Sequence, residues 1–460
     1  MGEIEALHIL KKELGEKRVL SSPEELLVYS YDASRNRGSP GAVIFPRNSR
    51  EVSLVLKTAS DHGVPVYTRG AGTGMAGGSI PEKRGVALVL TEMNRILDID
   101  TSNLTARVQP GVILNDLKAA VEEKGLFYPP DPASAKFATI GGSVAVNSGG
   151  LNSIKYGVTK DYVLSLEAVN VKGEILHFGA STMKSVTGYD MTRLLVGSEG
   201  TLAVITEAVL KLIPKPVFRE TLVAAFSDDE HALDAAMNIV REPLIPSALE
   251  FLDETAVYCA VKFRPREFLE NAGGVLLVEF DDDSIPPDSR IPDVDIAERL
   301  CKEAGAVRLE RSADPERREE LWEIRRCLSP AVYEIAPTKM NEDICVPRSR
   351  LKVVIGEIKR IAREQNIHVV NFAHAGDGNI HVNFMYDGDD PDERERTNRA
   401  ADRLFRMTIE NGGTISGEHG IGITKKKYLS VEYGEEEIRI MRDIRKLFDP
   451  AGILNPDKIF

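Results

Sequence analysis

The residues best placed for chemistry stand in "IHVVNFAHAGDGNIHVNFMY". Two alternating apolar and polar runs around the turn signal "GDGN" predict a β-hairpin. In that hairpin we expect His374 to lie directly opposite His381, with Asn383 on the same face. Directly opposed side chains are close enough for two imidazoles to reach one metal ion. A pair of histidines held by hydrogen bonds fits the same pattern, so both interpretations stay open.

A carboxylate and an imidazole stand side by side further along, in "GGTISGEHGIG". Glycines flank Glu418 and His419, and glycine permits the tight turns that would aim both side chains into one site. Glutamate can ligate a metal, and a neutral histidine can accept a proton. Taken alone, the segment could equally be an exposed loop.

Two adjacent cations, Arg325 and Arg326, stand in "ELWEIRRCLSPAV". A guanidinium donates two parallel hydrogen bonds to a carboxylate, so one of these arginines suits an acidic substrate. The alternative is that both only decorate the surface of a helix.

Two glycine-rich stretches predict a ligand-binding cradle. The first, "TRGAGTGMAGGSIP", contains GTGMAG, which has the spacing of a dinucleotide-binding fingerprint. The third glycine of that fingerprint must open a helix, yet the next regular pattern here is the strand "VALVL", so we exclude an NAD-binding loop of the Rossmann type. Successive glycine N–H groups can still hold a phosphate without a helix, although a loop without a ligand is the alternative. The second stretch, "PPDPASAKFATIGGSVAVNSGG", reads as another glycine-rich loop, and two such loops can hold one long ligand between them.

The elements that must position these residues indicate two kinds of architecture. From about 40 to 100, short strands alternate with one helix that opens after Ser49 and Arg50, and a second unit of strands and a helix follows from Thr105. The stretch "IPKP" at Ile213–Pro216 breaks this pattern and predicts a domain border. The strands and helices beyond it predict a separate α+β domain with an antiparallel sheet.

Composition limits the classes of function. The chain has 460 residues, enough for two or three domains, and a formal net charge of −13 that argues against nucleic acid or an anionic membrane as the main partner. Its four cysteines stand too far apart for an iron–sulfur cluster or a disulfide framework. No apolar run reaches membrane-spanning length, so we expect no transmembrane segment and a cytoplasmic protein, with peripheral attachment to the inner membrane left open.

The glycine-rich motifs carry a resemblance to a known family. Together with "PRNSREV", "QPG", "KYGVTKDYV" and "GSEGTLAVITEAVLKL", they resemble the FAD-binding domain of the vanillyl-alcohol oxidase and p-cresol methylhydroxylase superfamily over most of residues 40–215. The motifs "HAGDGNIH" and "SGEHGIG" are similar to the branch that contains D-lactate dehydrogenases, the flavin subunit of glycolate oxidase and D-2-hydroxyglutarate dehydrogenase.

That resemblance implies an α+β fold. It places an FAD-binding domain of two α/β subdomains in residues 1–214 and an antiparallel-sheet substrate (cap) domain in 215–410. A C-terminal segment, 411–460, would complete the active site and return to the FAD domain. The residues that it implies for FAD binding are Gly70, Ala71, Gly72, Thr73, Gly74, Met75, Ser79, Pro130, Asp131, Thr139, Gly141, Gly142, Asn147, Gly149, Gly150, Glu199, Gly200, Ile205 and Asn455.

The resemblance also implies the roles in catalysis. His374, His381 and Glu418 would hold a divalent metal, with zinc as the first expectation and manganese or iron as alternatives. His419 would be the base, while Arg325 and Asn383 would bind the substrate. Many relatives attach the flavin covalently through a histidine in the first loop; Thr73 stands there, so we expect non-covalent FAD.

The expected reaction is oxidation of a small D-2-hydroxy acid, D-lactate or glycolate, to the 2-oxo acid. Because the chain carries no iron–sulfur motif, we expect a separate electron acceptor: an electron-transferring flavoprotein, a quinone, a cytochrome or an iron–sulfur subunit. A homodimer stays open. The alternatives are a non-redox flavoenzyme of the alkyl-dihydroxyacetone-phosphate synthase type and a flavin-binding subunit of a larger oxidoreductase complex.

Overall fold

A computed structural model of the chain describes residues 2–34, 36–283 and 292–460. The strands in this part of the chain are β1 (Val19–Leu20), β2 (Ala42–Ile44), β3 (Val66–Arg69), β4 (Val86–Val89), β5 (Ile96–Asp100), β6 (Thr105–Val108), β7 (Leu126–Phe127), β8 (Val163–Val169), β9 (Ile175–Gly179), β10 (Val204–Lys211), β11 (Ile213–Pro214), β12 (Phe218–Phe226), β13 (Ala248–Asp253), β14 (Gly274–Asp282), β15 (Arg308–Ser312), β16 (Thr338–Cys345), β17 (His368–His374) and β18 (Asn379–Tyr386).

The helices among the same residues are α1 (Gly2–Leu14), α2 (Pro23–Leu27), α3 (Ser49–Asp61), α4 (Leu114–Glu122), α5 (Ile140–Val146), α6 (Ser153–Tyr156), α7 (Met191–Leu195), α8 (Asp229–Arg241), α9 (Glu254–Phe263), α10 (Asp293–Glu303), α11 (Pro315–Arg326), α12 (Leu328–Ala331), α13 (Leu351–Gln365), α14 (Pro391–Glu410), α15 (Leu429–Glu432) and α16 (Glu435–Phe448). None of the helices in the described ranges is long and apolar enough to cross a membrane.

The chain divides into two compact units. The first takes in the described residues up to Ser148, with Val158–Lys215 and Glu418–Phe460, and the second takes in Gly149–Gly157 and the described part of Pro216–Gly417. The α+β fold class expected from the sequence is confirmed. The expected division into an FAD-binding domain (1–214), a substrate domain (215–410) and a C-terminal segment (411–460) stays a prediction.

The first unit contains two main sheets. The order β1-β2-β4-β3 forms a four-stranded sheet in which β2, β4 and β3 run parallel, and β5-β6-β10-β8-β9 forms an antiparallel one. Helix α3 shows why the local sequence folds as it does. The Asn48 side chain caps its first turn by accepting from the Glu51 N–H, and Val52, Val55 and Leu56 are buried along one face.

The second unit is built on one antiparallel sheet of seven strands, β15-β12-β14-β13-β17-β18-β16. Its core includes Val275 and Leu277 of β14, Phe372 of β17 and Trp322 of α11. Strand β13 is buried at every position, although it carries the charged residues Glu250 and Asp253. Carboxylates buried in a sheet need partners, and the partners of Glu250 are part of the candidate site.

The hairpin of β17 and β18 is present, but the expected register is wrong by two residues. Phe372, and not His374, lies opposite His381, while His374 lies opposite Asn379. A direct His374 to His381 pairing would place the four-residue turn at 376–379, whereas the four-residue turn of the chain is 375–378, one residue earlier, and Gly378 ends it with a φ of 90°. Because the shift is an even number of residues, both histidines keep the same face of the sheet.

We predict opposite effects of alanine at two glycines of the second unit. A Cβ at Gly378 would stand 2.0 Å from the Val346 carbonyl oxygen at a positive φ, whereas one at Gly356, exposed in α13, would meet nothing within 4 Å. Gly378→Ala should therefore destabilise the protein by at least about 1–2 kcal/mol, and Gly356→Ala should stabilise it by about 0.5–1 kcal/mol. Thermal unfolding of both variants checks this, and equal midpoints would contradict it.

Candidate active site

In the first unit, the two glycine-rich stretches meet. The first runs from the end of β3 to β4, and its described residues 70–85 form no helix, as expected. A Cβ at Gly70 would stand 2.3 Å from Thr139 Oγ1, so only glycine allows the two segments to approach this closely. Gly72 turns with a φ of 74°.

A cavity of about 520 Å³ opens beside the first stretch. Its lining residues are Val28, Tyr31, Asp32, Ala33, Arg69, Ala71, Gly72, Thr73 and Ser134. Arg69 is buried and donates to the Tyr31 carbonyl oxygen at 2.8 Å. Burial lowers the pKa of Arg69 and raises the pKa of Asp32, since both charges lose water here. This cavity therefore presents a guanidinium and a carboxyl group, Arg69 and Asp32, beside glycine backbone, and the guanidinium with the glycine N–H groups suits a phosphate-bearing ligand.

The second stretch is not a loop throughout, and in this respect the expectation is wrong: Ile140–Val146 form α5. Thr139 caps this helix by accepting from the Gly142 N–H, and Asn147 ends it in the left-handed conformation with a φ of 55°. A Cβ at Gly141 would stand 2.6 Å from Pro110 Cβ. Gly141 therefore serves close packing of α5 against the segment of Pro110.

Each stretch contains one buried hydroxyl without a hydrogen-bond partner among the described residues, that of Thr68 in the first and that of Ser143 in the second. Buried hydroxyls normally make a hydrogen bond. Hydroxyls without one in glycine-rich stretches fit a bound ligand that has many hydrogen-bond acceptors and donors. The residues present in the first unit therefore fit FAD.

Glu199 organises a second part of the first unit. Its carboxylate is buried and accepts from the backbone N–H groups of Ile421 and Gly422, each at 2.8 Å. Burial raises the pKa of Glu199, and the two N–H groups oppose that shift. The side chain of Asn455 donates to the carbonyl oxygens of Glu199 at 2.6 Å and of Gly78 at 2.9 Å. Three predicted cofactor segments thus meet around Glu199, and the same carboxylate holds the chain just after His419.

The other predicted cofactor residues have separate surroundings. Gly200 packs against Thr68, and Ile205 lies in β10. Asp131 pairs with Lys118, and Asn147 accepts from the Lys160 N–H through its side chain. Gly74, Met75 and Ser79 belong to the first stretch and Pro130 is buried, whereas Gly149 and Gly150 belong to the second unit. Their contact with FAD stays a prediction.

In the second unit, His374 and His381 meet on one face of the sheet. They are diagonal neighbours, both are buried, and their Nε2 atoms stand 3.2 Å apart. Two nitrogen ligands of a tetrahedral ion, each about 2.0–2.1 Å from it, stand about 3.3 Å apart. The spacing of this pair therefore fits a shared divalent metal, and it also fits the hydrogen bond between two histidines that is the alternative from the sequence.

Glu250 of β13 holds one of these histidines. Its Oε1 stands 2.5 Å from His374 Nδ1, and its Oε2 accepts from Arg325 Nε at 2.7 Å. Burial would raise the pKa of Glu250, but the charges of His374 and Arg325 and their hydrogen bonds outweigh it and keep the pKa below its usual value. An ionised carboxylate only accepts, so Nδ1 carries the proton and Nε2 is left with the lone pair that a metal requires.

Of the two adjacent arginines, only Arg325 is buried. Its guanidinium lies over the Phe372 ring, with Cζ 4.4 Å from the ring centroid, and Glu250 is its carboxylate partner. Arg326 is exposed and pairs with Glu319. Arg326 is therefore a surface charge, and the substrate-binding role of Arg325 stays a prediction.

Asparagine and aspartate side chains extend the polar face along β16 and β18. Asn383 is buried, and its Oδ1 accepts from Asn341 Nδ2 at 2.8 Å. Asp343 lies opposite His381, with a carboxylate oxygen within 4.8 Å of a ring nitrogen of that histidine. Asp343 also accepts from Asn379 Nδ2 at 2.7 Å.

The end of the second unit leads directly to the predicted base. The Gly417 N–H donates to the Asp343 carbonyl oxygen at 3.3 Å, and a Cβ on Gly417 would stand 2.2 Å from Asn379 Nδ2. Glu418 and His419 follow at once and belong to the first unit. Both residues are half-buried, so the segment is not the fully exposed loop that was the alternative from the sequence. Their roles stay predictions.

Sequence reasoning missed Glu250 and Asp343. The segment "SALEFL" holds a glutamate within an otherwise apolar run, which is a signal in itself: all six residues of β13 are buried. A fully buried carboxylate needs a cationic or donor partner, and that need would have singled out Glu250.

The fold defines a class of flavoprotein. The solved structure of p-cresol methylhydroxylase with substrate bound has a TM-score of 0.80 at 16% identity, covering 100% of this chain and 96% of that one. Residues 40–179 match the family described as FAD binding domain, and residues 215–459 match the family described as FAD linked oxidases, C-terminal domain. The chain belongs to the FAD-linked oxidase family.

Relatives similar over nearly the whole chain carry more specific names. The glycolate oxidase subunit GlcD of Bacillus subtilis (strain 168) is 44% identical over 435 residues, which is 94% of this chain and 92% of that protein. The D-lactate dehydrogenase of Anaerostipes hadrus is 37% identical over 462 residues, which is 97% of this chain and 96% of that protein.

We predict that Glu199→Gln loosens the segment after His419. A glutamine presents one acceptor where the carboxylate presents two, so one N–H of Ile421 or Gly422 would lose its bond at a cost of about 1–3 kcal/mol. Amide hydrogen exchange at these two residues should therefore become faster. Glu207→Gln, in β10, is the control and should leave the exchange rates at Ile421 and Gly422 unchanged. Exchange at the wild-type rate in Glu199→Gln would contradict the prediction.

Proposed function

We propose that the chain is an FAD- and metal-dependent dehydrogenase that oxidises a small D-2-hydroxy acid, D-lactate or glycolate, to the 2-oxo acid. The observation that carries the proposal is the buried pair of Nε2 atoms 3.2 Å apart in His374 and His381, with His374 oriented by Glu250 and Arg325 beside it. A metal-binding pair next to a buried guanidinium suits a substrate with a hydroxyl beside a carboxylate. Relatives named for glycolate oxidation and D-lactate dehydrogenation support the same substrate class.

His374, His381 and Glu418 are the proposed ligands of the divalent metal, with zinc first and manganese or iron as alternatives. Two imidazoles and a carboxylate suit these ions. When bound, the metal would lower the pKa of a substrate hydroxyl that is too weak an acid at neutral pH, and FAD would supply the hydride acceptor. The protein's contribution is to align the substrate and to receive its proton.

His419 is the proposed acceptor of the hydroxyl proton at its neutral imidazole, and Arg325 the group that binds the substrate carboxylate. Asn383 would bind the substrate from the same face as His381. Asn341 stands next to Asn383, so the position opposite Asn383 offers an amide rather than a cation. That amide favours a substrate with a single carboxylate.

Reduced FAD must pass its electrons to a separate acceptor, because the chain carries no motif for an iron–sulfur cluster. The name of the Bacillus subtilis relative, a subunit, supports a partner protein in that role. An electron-transferring flavoprotein, a quinone, a cytochrome and an iron–sulfur subunit are the candidate acceptors, and a cytoplasmic location suits each of them, at the membrane surface for a quinone.

FAD should be held without a covalent bond, since Thr73 lacks the nucleophilic imidazole that covalent attachment in this loop requires. Acid precipitation should leave the yellow colour in the supernatant. Flavin absorbance that stays with the precipitated protein would contradict the prediction.

Removal of the metal should abolish turnover and leave FAD bound, because the proposed ligands lie outside the glycine-rich stretches. Zn²⁺ or Mn²⁺ added back should restore activity. His381→Ala should lose both the metal and activity, whereas the control His368→Ala, an exposed histidine of the same hairpin, should keep both. Equal metal content in the two variants would remove His381 from the ligand set.

Substitutions should distinguish the role of His419, the proposed base, from that of Glu418, the neighbouring proposed metal ligand. His419→Asn should keep metal and FAD but reduce flavin about 10²–10⁴-fold more slowly, the usual effect of losing a positioned proton acceptor. Glu418→Gln should instead weaken metal affinity. Stopped-flow flavin reduction and metal analysis of both variants check this, and a His419 variant that reduces flavin at the wild-type rate would show that the base is another residue.

A further inference from the structure

We propose that Glu250 is a positioning residue that sets the tautomer of the metal ligand His374 and the orientation of Arg325 with a single carboxylate. This inference rests on the proposed function, since it concerns how two of its residues are prepared for their roles. Glu250 itself need not contact the metal or the substrate.

The geometry uses both oxygens of one carboxylate. Oε1 stands 2.5 Å from His374 Nδ1, and Oε2 stands 2.7 Å from Arg325 Nε. Glu250 has no exposed surface. It comes from the centre of β13, whose register pairs it with His374 of β17 on one side and Leu277 of β14 on the other. The carboxylate is therefore fixed by the sheet, and the imidazole of His374 and the guanidinium of Arg325 are fixed by the carboxylate.

Each contact answers a specific requirement. A neutral imidazole ligates through the nitrogen that lacks a proton, and a carboxylate at Nδ1 assigns the proton to Nδ1 and the lone pair to Nε2. A guanidinium on a long side chain has many rotamers, and Arg325 is restricted by Glu250 at Nε and by the Phe372 ring 4.4 Å from its Cζ. Because Nε is the atom that Glu250 takes, the fork of the two terminal nitrogens can address a carboxylate.

One carboxylate serving two groups makes the two sites interdependent. A glutamine at 250 offers one acceptor and one donor. If its oxygen accepts from Arg325, its amide N–H faces His374 Nδ1 and favours the tautomer with the proton on Nε2, which is the atom needed by the metal. If the oxygen instead accepts from His374, the amide N–H faces the Arg325 N–H.

The experiment measures Zn²⁺ affinity of the metal-free, FAD-loaded protein by competition with a chelating dye, together with KM and kcat for D-lactate and glycolate. Glu250→Gln should weaken Zn²⁺ binding about 10–100-fold, the usual loss when the partner of a ligating histidine is removed, and should raise KM. Glu250→Asp, which keeps two acceptors, should recover part of both losses. This rescue separates positioning from a general loss of stability and provides a second variant if glutamine prevents folding.

Asp253→Asn is the matched control, since Asp253 lies on the same strand, has no exposed surface and contacts Asn371 of β17. It should lower the unfolding temperature without changing Zn²⁺ affinity or KM. A wild-type protein that binds Zn²⁺ and a Glu250→Gln variant that binds it equally well would overturn the inference and leave the proposed function standing. A wild-type protein that binds no divalent metal would overturn both.

Discussion

A carboxylate buried in a protein sheet must be neutralised, and in the second unit that requirement shapes the candidate site. Glu250 has no exposed surface, and its charge is balanced by His374 and Arg325 from two other elements. The hydrophobic sheet alone would not choose a rotamer for either partner. The same two partners are the side chains best suited to the proposed roles, His374 to a metal and Arg325 to a substrate carboxylate. The stability of the sheet and the order of the candidate site therefore depend on the same contacts.

In the first unit, a second buried carboxylate is stabilised by backbone N–H groups instead of cationic side chains. Glu199 is a buried carboxylate that accepts from the N–H groups of Ile421 and Gly422, and Asn455 bonds the backbone of Glu199 and Gly78. Segments far apart in sequence are thereby held together beside the glycine-rich stretch. Glu418 and His419 come just before the segment that Glu199 holds. They need a fixed backbone if they are to act as a ligand and a base.

Much of this arrangement could be predicted from the sequence, because period-2 strands, helix caps and glycine motifs are local signals. Helix α3, the hairpin of β17 and β18 and the loop after β3 follow from them. The hairpin register does not, since a four-residue turn at 375–378 and one at 376–379 both fit "AGDGN" and differ only in backbone conformation; the two histidines stay on one face because the shift is even. The fold of Ile140–Val146 into α5 and the role of Glu250 depend on tertiary partners, Pro110, His374 and Arg325, which no local pattern reveals.

The central claim is that this flavoprotein takes a hydride from a D-2-hydroxy acid. Anaerobic mixing of the purified, metal-loaded holoprotein with D-lactate, glycolate or L-lactate, followed by the flavin absorbance, tests it most directly. The account predicts rapid bleaching by D-lactate or glycolate without any added acceptor or second substrate, and little or none by L-lactate. A flavin that stays oxidised with both D-lactate and glycolate would contradict the account and favour the non-redox alternative.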